Sequence, residues 1–137
     1  MKFGLGQPAP RLEDPRLLRG EGCYVDDISL PNQAHAAVLR SPVAHGRIRA
    51  LDVSDARAMP GVLAVWTHAE TGSRLTPLSC DFPLNPAPAP VKMPHLADEK
   101  VRFVGQPIAF VVAESRFEAQ DAIEAIDFDL DEIDAVT

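Results

Sequence analysis

Apolar and polar residues alternate most regularly between Val101 and Leu130. Val101–Val104 is rich in β-branched and aromatic residues and predicts a strand, which Gly105-Gln106-Pro107 then interrupts. Ile108–Ala113 is a run of six apolar residues. A run of this length between a turn and a helix start predicts a strand that is buried on both faces.

A helix and a different kind of strand are predicted after this run. Ser115 and Glu118 have the spacing of a capping box, in which a hydroxyl and a carboxylate satisfy backbone N–H groups at a helix start. Apolar residues then recur at helical spacing, at Ala119, Ala122, Ile123 and Ile126. Phe128 and Leu130 alternate with aspartates, a pattern typical of a half-exposed strand. The predicted order is strand, turn, buried strand, capped helix and strand.

The first half of the chain contains a second unit of this kind. Short apolar runs predict strands in four further places: Tyr24–Ile28, Ala34–Leu39, Ile48–Val53 and Val62–Trp66. Ser54 is expected to begin a short helix that runs to Met59, and Pro60-Gly61 to end it. We therefore expect an α+β fold, a mixed sheet with two strand–helix–strand units.

Two segments lack periodicity. Residues 1–22 are rich in Pro, Gly and Arg and predict an extended arm that lies across another surface. Residues 70–100 hold six of the thirteen prolines and predict a long irregular connection or lid. A length of 137 residues suffices for one core and is short for two, so we expect a single domain over 1–137.

Charge and composition exclude several classes of function. The net charge of −7 argues against nucleic acid, because phosphate binding needs clustered Lys and Arg. No apolar run approaches the roughly 20 residues of a membrane helix, and the amino-terminal sequence lacks the apolar core of a signal peptide. These features predict a cytoplasmic protein without a membrane span. Cys23 and Cys80 form no Cys-x-x-Cys pair and are expected to be buried thiols.

The candidate catalytic residues form no recognisable site. The four histidines, His35, His45, His68 and His95, lack the spacing of metal ligands. Ser41, His45 and Asp52 could form a hydrolytic triad, but neither a nucleophile elbow nor an oxyanion loop accompanies them. We expect Arg40 and His45 to donate structural hydrogen bonds to carbonyls or carboxylates. The Gln106 amide is expected either to stabilise its turn or to reach a ligand or partner.

Four short motifs follow one another along the chain. They are Gly20-x-Gly22-x-Tyr24-x-Asp26-Asp27, Arg40-Ser41-Pro42-x-Ala44-His45, Asp52-x-Ser54-x-Ala56-x-Ala58-x-Pro60-Gly61-Val62 and Val104-Gly105-Gln106-Pro107-x-Ala109. Their order and gaps resemble the N-terminal α/β hammerhead domain of the molybdenum hydroxylase large subunit, found in xanthine dehydrogenase, aldehyde oxidase and carbon monoxide dehydrogenase. The resemblance extends from about Leu12 to Val136. The chain departs from the family at Gly46, where alanine is commoner, and in its final turn, which lacks a proline.

The resemblance implies a non-catalytic part of an oxidoreductase that hydroxylates aldehydes, N-heteroaromatic rings or carbon monoxide. In the family, the molybdopterin-type cofactor and the glutamate base belong to later domains, so no catalytic, cofactor-binding or metal-binding residue is carried over to this chain. The implied partners are those molybdenum-binding domains, together with iron–sulfur (2Fe-2S) and FAD subunits. The arm 1–22 and the acidic final strand are the surfaces expected to meet them, with Arg40, His45 and Gln106 as interface or structural residues.

A second hypothesis is a free-standing interaction or small-ligand-binding module that reuses the hammerhead fold. A monomeric chain, the lack of a large exposed apolar patch and a pocket near Gln106 would favour it.

Overall fold

A computed structural model of the chain describes residue 6 and residues 10–79 and 92–135. The backbone forms two compact units, Met1–Gln33 and Ala34–Thr137, each described by itself below. Among the described residues, none of the helices combines the length and the apolar character that crossing a membrane requires.

The first unit contains two short helical turns. Helix α1 covers Asp14–Leu18 and buries none of its residues. The extended backbone predicted for 1–22 is wrong for these five residues, because Pro15 in the first turn has a φ that suits a helix and Asp14 complements the positive end of the helix dipole.

The strand predicted at Tyr24–Ile28 is also wrong. Val25–Asp27 forms a single turn of 3-10 helix, in which the Asp27 carboxylate accepts a hydrogen bond from the Tyr24 N–H at 2.8 Å. Such a local side-chain bond competes with strand pairing. Cys23, predicted to be buried, is an exposed free thiol beside this exposed turn. Cys80 lies outside the described residues.

The second unit contains eight strands and three helices in its described part. In chain order these are β1 His35–Arg40, β2 Gly46–Asp52, α2 Ser54–Ala58, β3 Val62–Trp66, α3 His68–Thr71, β4 Leu78–Ser79, β5 Lys92–Met93, β6 Lys100–Val101, β7 Pro107–Ala113, α4 Arg116–Glu124 and β8 Asp127–Glu132. The α+β class is confirmed, as are the predicted strands that correspond to β1, β2, β3, β7 and β8 and the helices α2 and α4.

The strands form three small sheets with the orders β1-β7-β3, β6-β2-β8 and β4-β5. Every strand pair in the described part is antiparallel, so the prediction of a mixed sheet is wrong. The reason is that each strand–helix–strand unit leads from one sheet to another. Helix α2 connects β2 to β3, and α4 connects β7 to β8, so neither crossover creates two parallel neighbours in one sheet.

The ends of the Pro-rich segment 70–100 are more regular than predicted. Helix α3 reaches Thr71, and β4 pairs with β5 through Leu78↔Met93 and Ser79↔Lys92. The prediction of an entirely irregular connection is therefore wrong at these positions, because cross-strand backbone bonds satisfy the chain on either side of the proline-dense centre. Residues 80–91 lie outside the described residues.

Helix α4 begins as the sequence predicts. The Ser115 hydroxyl accepts a hydrogen bond from the Glu118 N–H at 3.2 Å, which is the first half of the predicted capping box. Ala119 and Ala122 are buried and allow the helix to approach the first sheet closely. The core draws small and branched residues from several elements: Leu39, Val53, Ala56, Val65, Ala97, Val101, Ile108, Ala109, Val111, Ala122 and Ile126.

Candidate functional site

Two of the sequence motifs meet where β1 ends and β7 begins. The Ser41 N–H donates to the Gln106 carbonyl at 2.9 Å, and the Gly105 N–H donates to the Ser41 carbonyl at 2.8 Å. The Arg40 guanidinium donates to the Gly105 carbonyl at 3.0 Å. These three bonds join segments 65 residues apart in the sequence, and we call the arrangement the motif clasp.

The Gln106 side chain lies inside this clasp and is only 2% exposed. Its Oε1 accepts a hydrogen bond from the Arg102 backbone N–H at 2.6 Å, and the backbone N–H of Gln106 donates to the Phe103 carbonyl at 3.2 Å. These bonds close a turn, which is why the strand predicted over Val101–Val104 stops after Val101. Gln106 Nε2 is buried and has no hydrogen-bond partner among the described residues. The Oε1 atom of the amide therefore stabilises the turn that contains Gln106.

Ser41, His45 and Asp52 do not come together as a triad. The Ser41 hydroxyl is buried, donates to the Val43 carbonyl at 2.7 Å and accepts from the Val43 N–H at 3.2 Å. His45 Nδ1 lies 3.1 Å from the Asp134 carbonyl, which can only accept, so this nitrogen is the donor. Each group has its own local partner, and the arrangement does not support nucleophilic catalysis.

Asp52 serves instead at the start of helix α2. Its carboxylate accepts hydrogen bonds from Ser54, including one from the Ser54 N–H at 2.9 Å, and these bonds lower the pKa of Asp52. The described residues contain no group of three or more His, Cys, Asp or Glu side chains that could hold a metal ion.

Sequence reasoning overlooked a partly exposed electrostatic cluster next to β3. The Glu70 carboxylate accepts from the Thr67 N–H at 2.8 Å and from the Thr67 hydroxyl at 2.6 Å, and it also pairs with Arg57. The Thr67 hydroxyl is the largest influence in lowering the pKa of Glu70 from 4.5 to about 2. The Thr-x-x-Glu spacing of a capping box was the signal in the sequence that could have revealed this cluster.

The first sheet also presents an apolar row that sequence reasoning did not identify. Phe110 of β7 is directly opposite Val38 on one side and Trp66 on the other. The Trp66 and Phe110 rings stack, with centroids 5.9 Å apart and planes 11° from parallel. Beside them lies an open groove of about 320 Å³, lined also by Leu75 and Leu96. We call this surface the Trp66 face.

Comparisons with known proteins agree with this fold. A protein-family model, described as aldehyde oxidase and xanthine dehydrogenase, a/b hammerhead domain, matches residues 19–134. The chain is 41% identical over 132 residues to the nicotine 6-hydroxylase large subunit of Paenarthrobacter nicotinovorans.

Two solved structures are similar in fold as well as sequence. Quinoline 2-oxidoreductase from Pseudomonas putida 86 matches with a TM-score of 0.86 at 41% identity over 96% of this chain. Cu,Mo-CO dehydrogenase matches with a TM-score of 0.73 at 42% identity over 95% of this chain.

The relatives are much longer than the region they share with this chain. The match covers 16% of the nicotine 6-hydroxylase subunit, 17% of the quinoline 2-oxidoreductase chain and 16% of the CO dehydrogenase chain. Within that region, both the fold and the sequence are similar to those of the relatives. The chain therefore belongs to the α/β hammerhead domain family of the aldehyde oxidases and xanthine dehydrogenases.

Proposed function

We propose that this chain is the hammerhead portion of a molybdenum-dependent oxidoreductase and contributes fold and interfaces rather than catalytic groups. The observation that carries the proposal is the family match over residues 19–134. One relative, Cu,Mo-CO dehydrogenase, has molybdenum in its name. The region similar to this chain makes up 16% of the length of that relative. The reaction of the whole enzyme would be hydroxylation of an aldehyde, an N-heteroaromatic ring or carbon monoxide.

The hydrogen bonds of the motif residues support a structural role. Arg40, Ser41 and Gln106 direct their polar atoms to backbone groups of this chain, and His45 does the same at Asp134. A general base or nucleophile needs an accessible polar atom that can reach a substrate. Of these side chains, Arg40 belongs to the motif clasp, and the others bond to backbone groups of nearby loops or of the final segment.

The chemistry of the available ligands supports placing the cofactors elsewhere. A 2Fe-2S cluster is ordinarily held by four cysteine thiolates, whereas the chain has two cysteines. We propose that the molybdopterin-type cofactor, the 2Fe-2S clusters and FAD belong to other domains and subunits of the enzyme. This chain would supply no ligand to any of them.

The proposed partners are the remaining molybdenum-binding domains of the large subunit, with the iron–sulfur and FAD subunits in the wider complex. We propose a single hammerhead domain over 1–137, with the segment 1–22 lying across a partner surface. The net charge of −7 favours protein partners over nucleic acid. A cytoplasmic location, which the sequence predicts, is part of the same proposal.

Activity of the isolated chain and of the assembled enzyme tests this proposal. The purified 137-residue chain should not reduce a dye acceptor with an aldehyde, a purine or carbon monoxide, whereas the assembly that contains it should do so with one of these substrates. His45→Ala serves as a control, because it should leave the isolated chain equally inactive. Turnover by the isolated chain would refute the proposal. The proposal would also be refuted if molybdenum-binding domains were missing both from the adjacent reading frame and from the purified complex.

The alternative of a free-standing small-ligand module has weaker support. It was expected to show a pocket near Gln106 and no large exposed apolar patch. The Gln106 side chain lies in the packed interior, and the groove of about 320 Å³, which the neighbouring Pro107 lines, adjoins the exposed Trp66 ring on the Trp66 face. A monomeric chain that binds small apolar compounds in this groove, without any molybdenum-enzyme partner, would favour the alternative.

A further inference from the structure

Strand β7 is apolar on both faces, but only one face is fully covered. Ala109, Val111 and Ala113 alternate along one face and are completely buried, and helix α4 packs on the same strands. At alternate positions, Phe110 and Val112 are only half-buried, whereas Ile108 near the start of the strand is fully buried. An antiparallel sheet that leaves one face in water normally carries polar residues on that face. The composition of β7 is therefore that of a strand whose two faces are both covered by protein.

The uncovered face is continuous across all three strands of the first sheet. Cross-strand partners lie on the same face, so Val38, Phe110 and Trp66 form one row from β1 through β7 to β3. The Trp66 side chain is 42% exposed although it stacks on Phe110. This row forms the floor of the Trp66 face.

The groove beside this row selects for an apolar partner. In the described part of its lining, the one titratable side chain is His95, whose Nε2 lies 2.9 Å from the Thr76 carbonyl. Among the described residues, no carboxylate, lysine or arginine lines it. A charged ligand would find no counter-charge there, whereas apolar side chains would bury the exposed rings.

We propose that the Trp66 face is the docking surface for the molybdenum-binding domains of the same large subunit. The inference rests on the proposed function and adds the surface to it. In the relatives, the matched region is 16–17% of a chain, so most of each polypeptide is available to cover such a face. A tether gives an effective concentration on the order of millimolar, so a small apolar contact is enough to hold the domains together.

A second copy of the chain fits this surface less well. Three strands spaced about 4.8 Å apart give a face only about 15 Å wide. A stable interface between untethered proteins buries about 800 Å² on each partner, which is more than a face of this width provides. The geometry thus favours a tethered partner.

Site-specific photo-crosslinking in the assembled enzyme tests the proposal. The photoreactive residue p-benzoylphenylalanine replaces Trp66 in one variant and Phe117 in the control. Phe117 is also aromatic and 82% exposed, but it lies on α4, the helix that packs on the first sheet. After irradiation, we expect position 66 to form an adduct with a peptide of the molybdenum-binding domains, and position 117 to form none with that peptide.

Substitution provides a second measurement. Trp66→Ser should weaken the docking of the Trp66 face on the molybdenum-binding domains by roughly 30-fold. This is the effect of losing an aromatic anchor at the centre of an interface. Phe117→Ser should change it by less than about twofold, as expected for a position outside the contact. Both positions are exposed, so neither variant should prevent folding.

The outcomes separate the docking surface from the proposed function. If the assembly contains molybdenum-binding domains but position 66 crosslinks to a second copy, to another subunit or within this chain, the docking surface is refuted and the proposed function stands. The docking surface is also refuted, and the proposed function stands, if Trp66→Ser and Phe117→Ser weaken docking to the same extent. If the assembly contains no molybdenum-binding domain, the proposed function fails and the docking surface fails with it.

Discussion

Replacing Glu70 by Gln tests the electrostatic cluster beside β3. In the folded chain the pKa of Glu70 falls from 4.5 to about 2, mainly through the hydrogen bond from the Thr67 hydroxyl. A shift of this size would correspond to about 3 kcal/mol at about 1.4 kcal/mol per pKa unit. The Glu70 side chain is 34% exposed and Arg57 is 46% exposed, so solvent screening reduces the expected contribution to about 1–2 kcal/mol.

The sign of the pH dependence follows from the direction of this shift. A carboxylate whose pKa is lowered in the folded state stabilises the fold fully at pH values above its unfolded-state pKa. This contribution is lost as the pH falls through the folded-state pKa. Glu70→Gln should therefore lower the free energy of unfolding by about 1–2 kcal/mol at pH 7. The difference from wild type should disappear as pH falls from 4.5 towards about 2.

Urea unfolding at several pH values measures this difference. The chain has one tryptophan, Trp66, whose fluorescence reports on the same region because it directly precedes Thr67. Glu124→Gln is the matched control, since Glu124 is an exposed carboxylate on helix α4. A destabilisation by Glu70→Gln that is equal at pH 7 and pH 3, or no larger than that of the control, would refute the electrostatic reasoning.

Three further substitutions test packing, backbone conformation and surface charge, each by urea unfolding at pH 7. Ile108→Ala should cost about 2–5 kcal/mol, because Ile108 is fully buried in the core; a cost below about 1 kcal/mol would contradict that packing. Gly105→Ala should cost about 1–2 kcal/mol through its φ of +85° alone, since no atom lies within 4 Å of an added Cβ, and a neutral effect would argue against this backbone conformation. Asp131→Asn should cost less than about 1 kcal/mol and become neutral at high salt, since the Arg49–Asp131 pair at 2.5 Å is exposed; a larger, salt-independent loss would contradict this.

The site was only partly predictable because its residues act through distant partners. The sequence favoured structural hydrogen bonds from Arg40 and His45, since neither a nucleophile elbow nor an oxyanion loop accompanies them. It could not identify the Gly105 carbonyl or the Asp134 carbonyl as acceptors, because 65 and 89 residues separate each pair. The Trp66 face could not be predicted for the same reason, because its three strands come from distant parts of the chain and meet only when the sheet forms.

Errors in the predicted elements have local physical causes. The strand predicted at Tyr24–Ile28 is replaced by a helical turn because the Asp27 carboxylate bonds the Tyr24 N–H. The strand that starts before Gln106 is shortened because the Gln106 amide bonds the Arg102 N–H. In both places a side-chain hydrogen bond overrides the apolar pattern, which carries no information about such bonds.

The sequence alone determined the elements whose signals lie between near neighbours. The apolar run of β7, the Ser115 cap of α4 and the alternation in β8 each depend on residues within about four positions of one another. The order of the four motifs also sufficed to indicate the family. Only the tertiary structure decided that all strand pairs of the described part are antiparallel and that one face of the first sheet keeps exposed aromatic rings. Strand partners and uncovered faces depend on how loops close and which surfaces meet, and periodicity along the chain does not encode either.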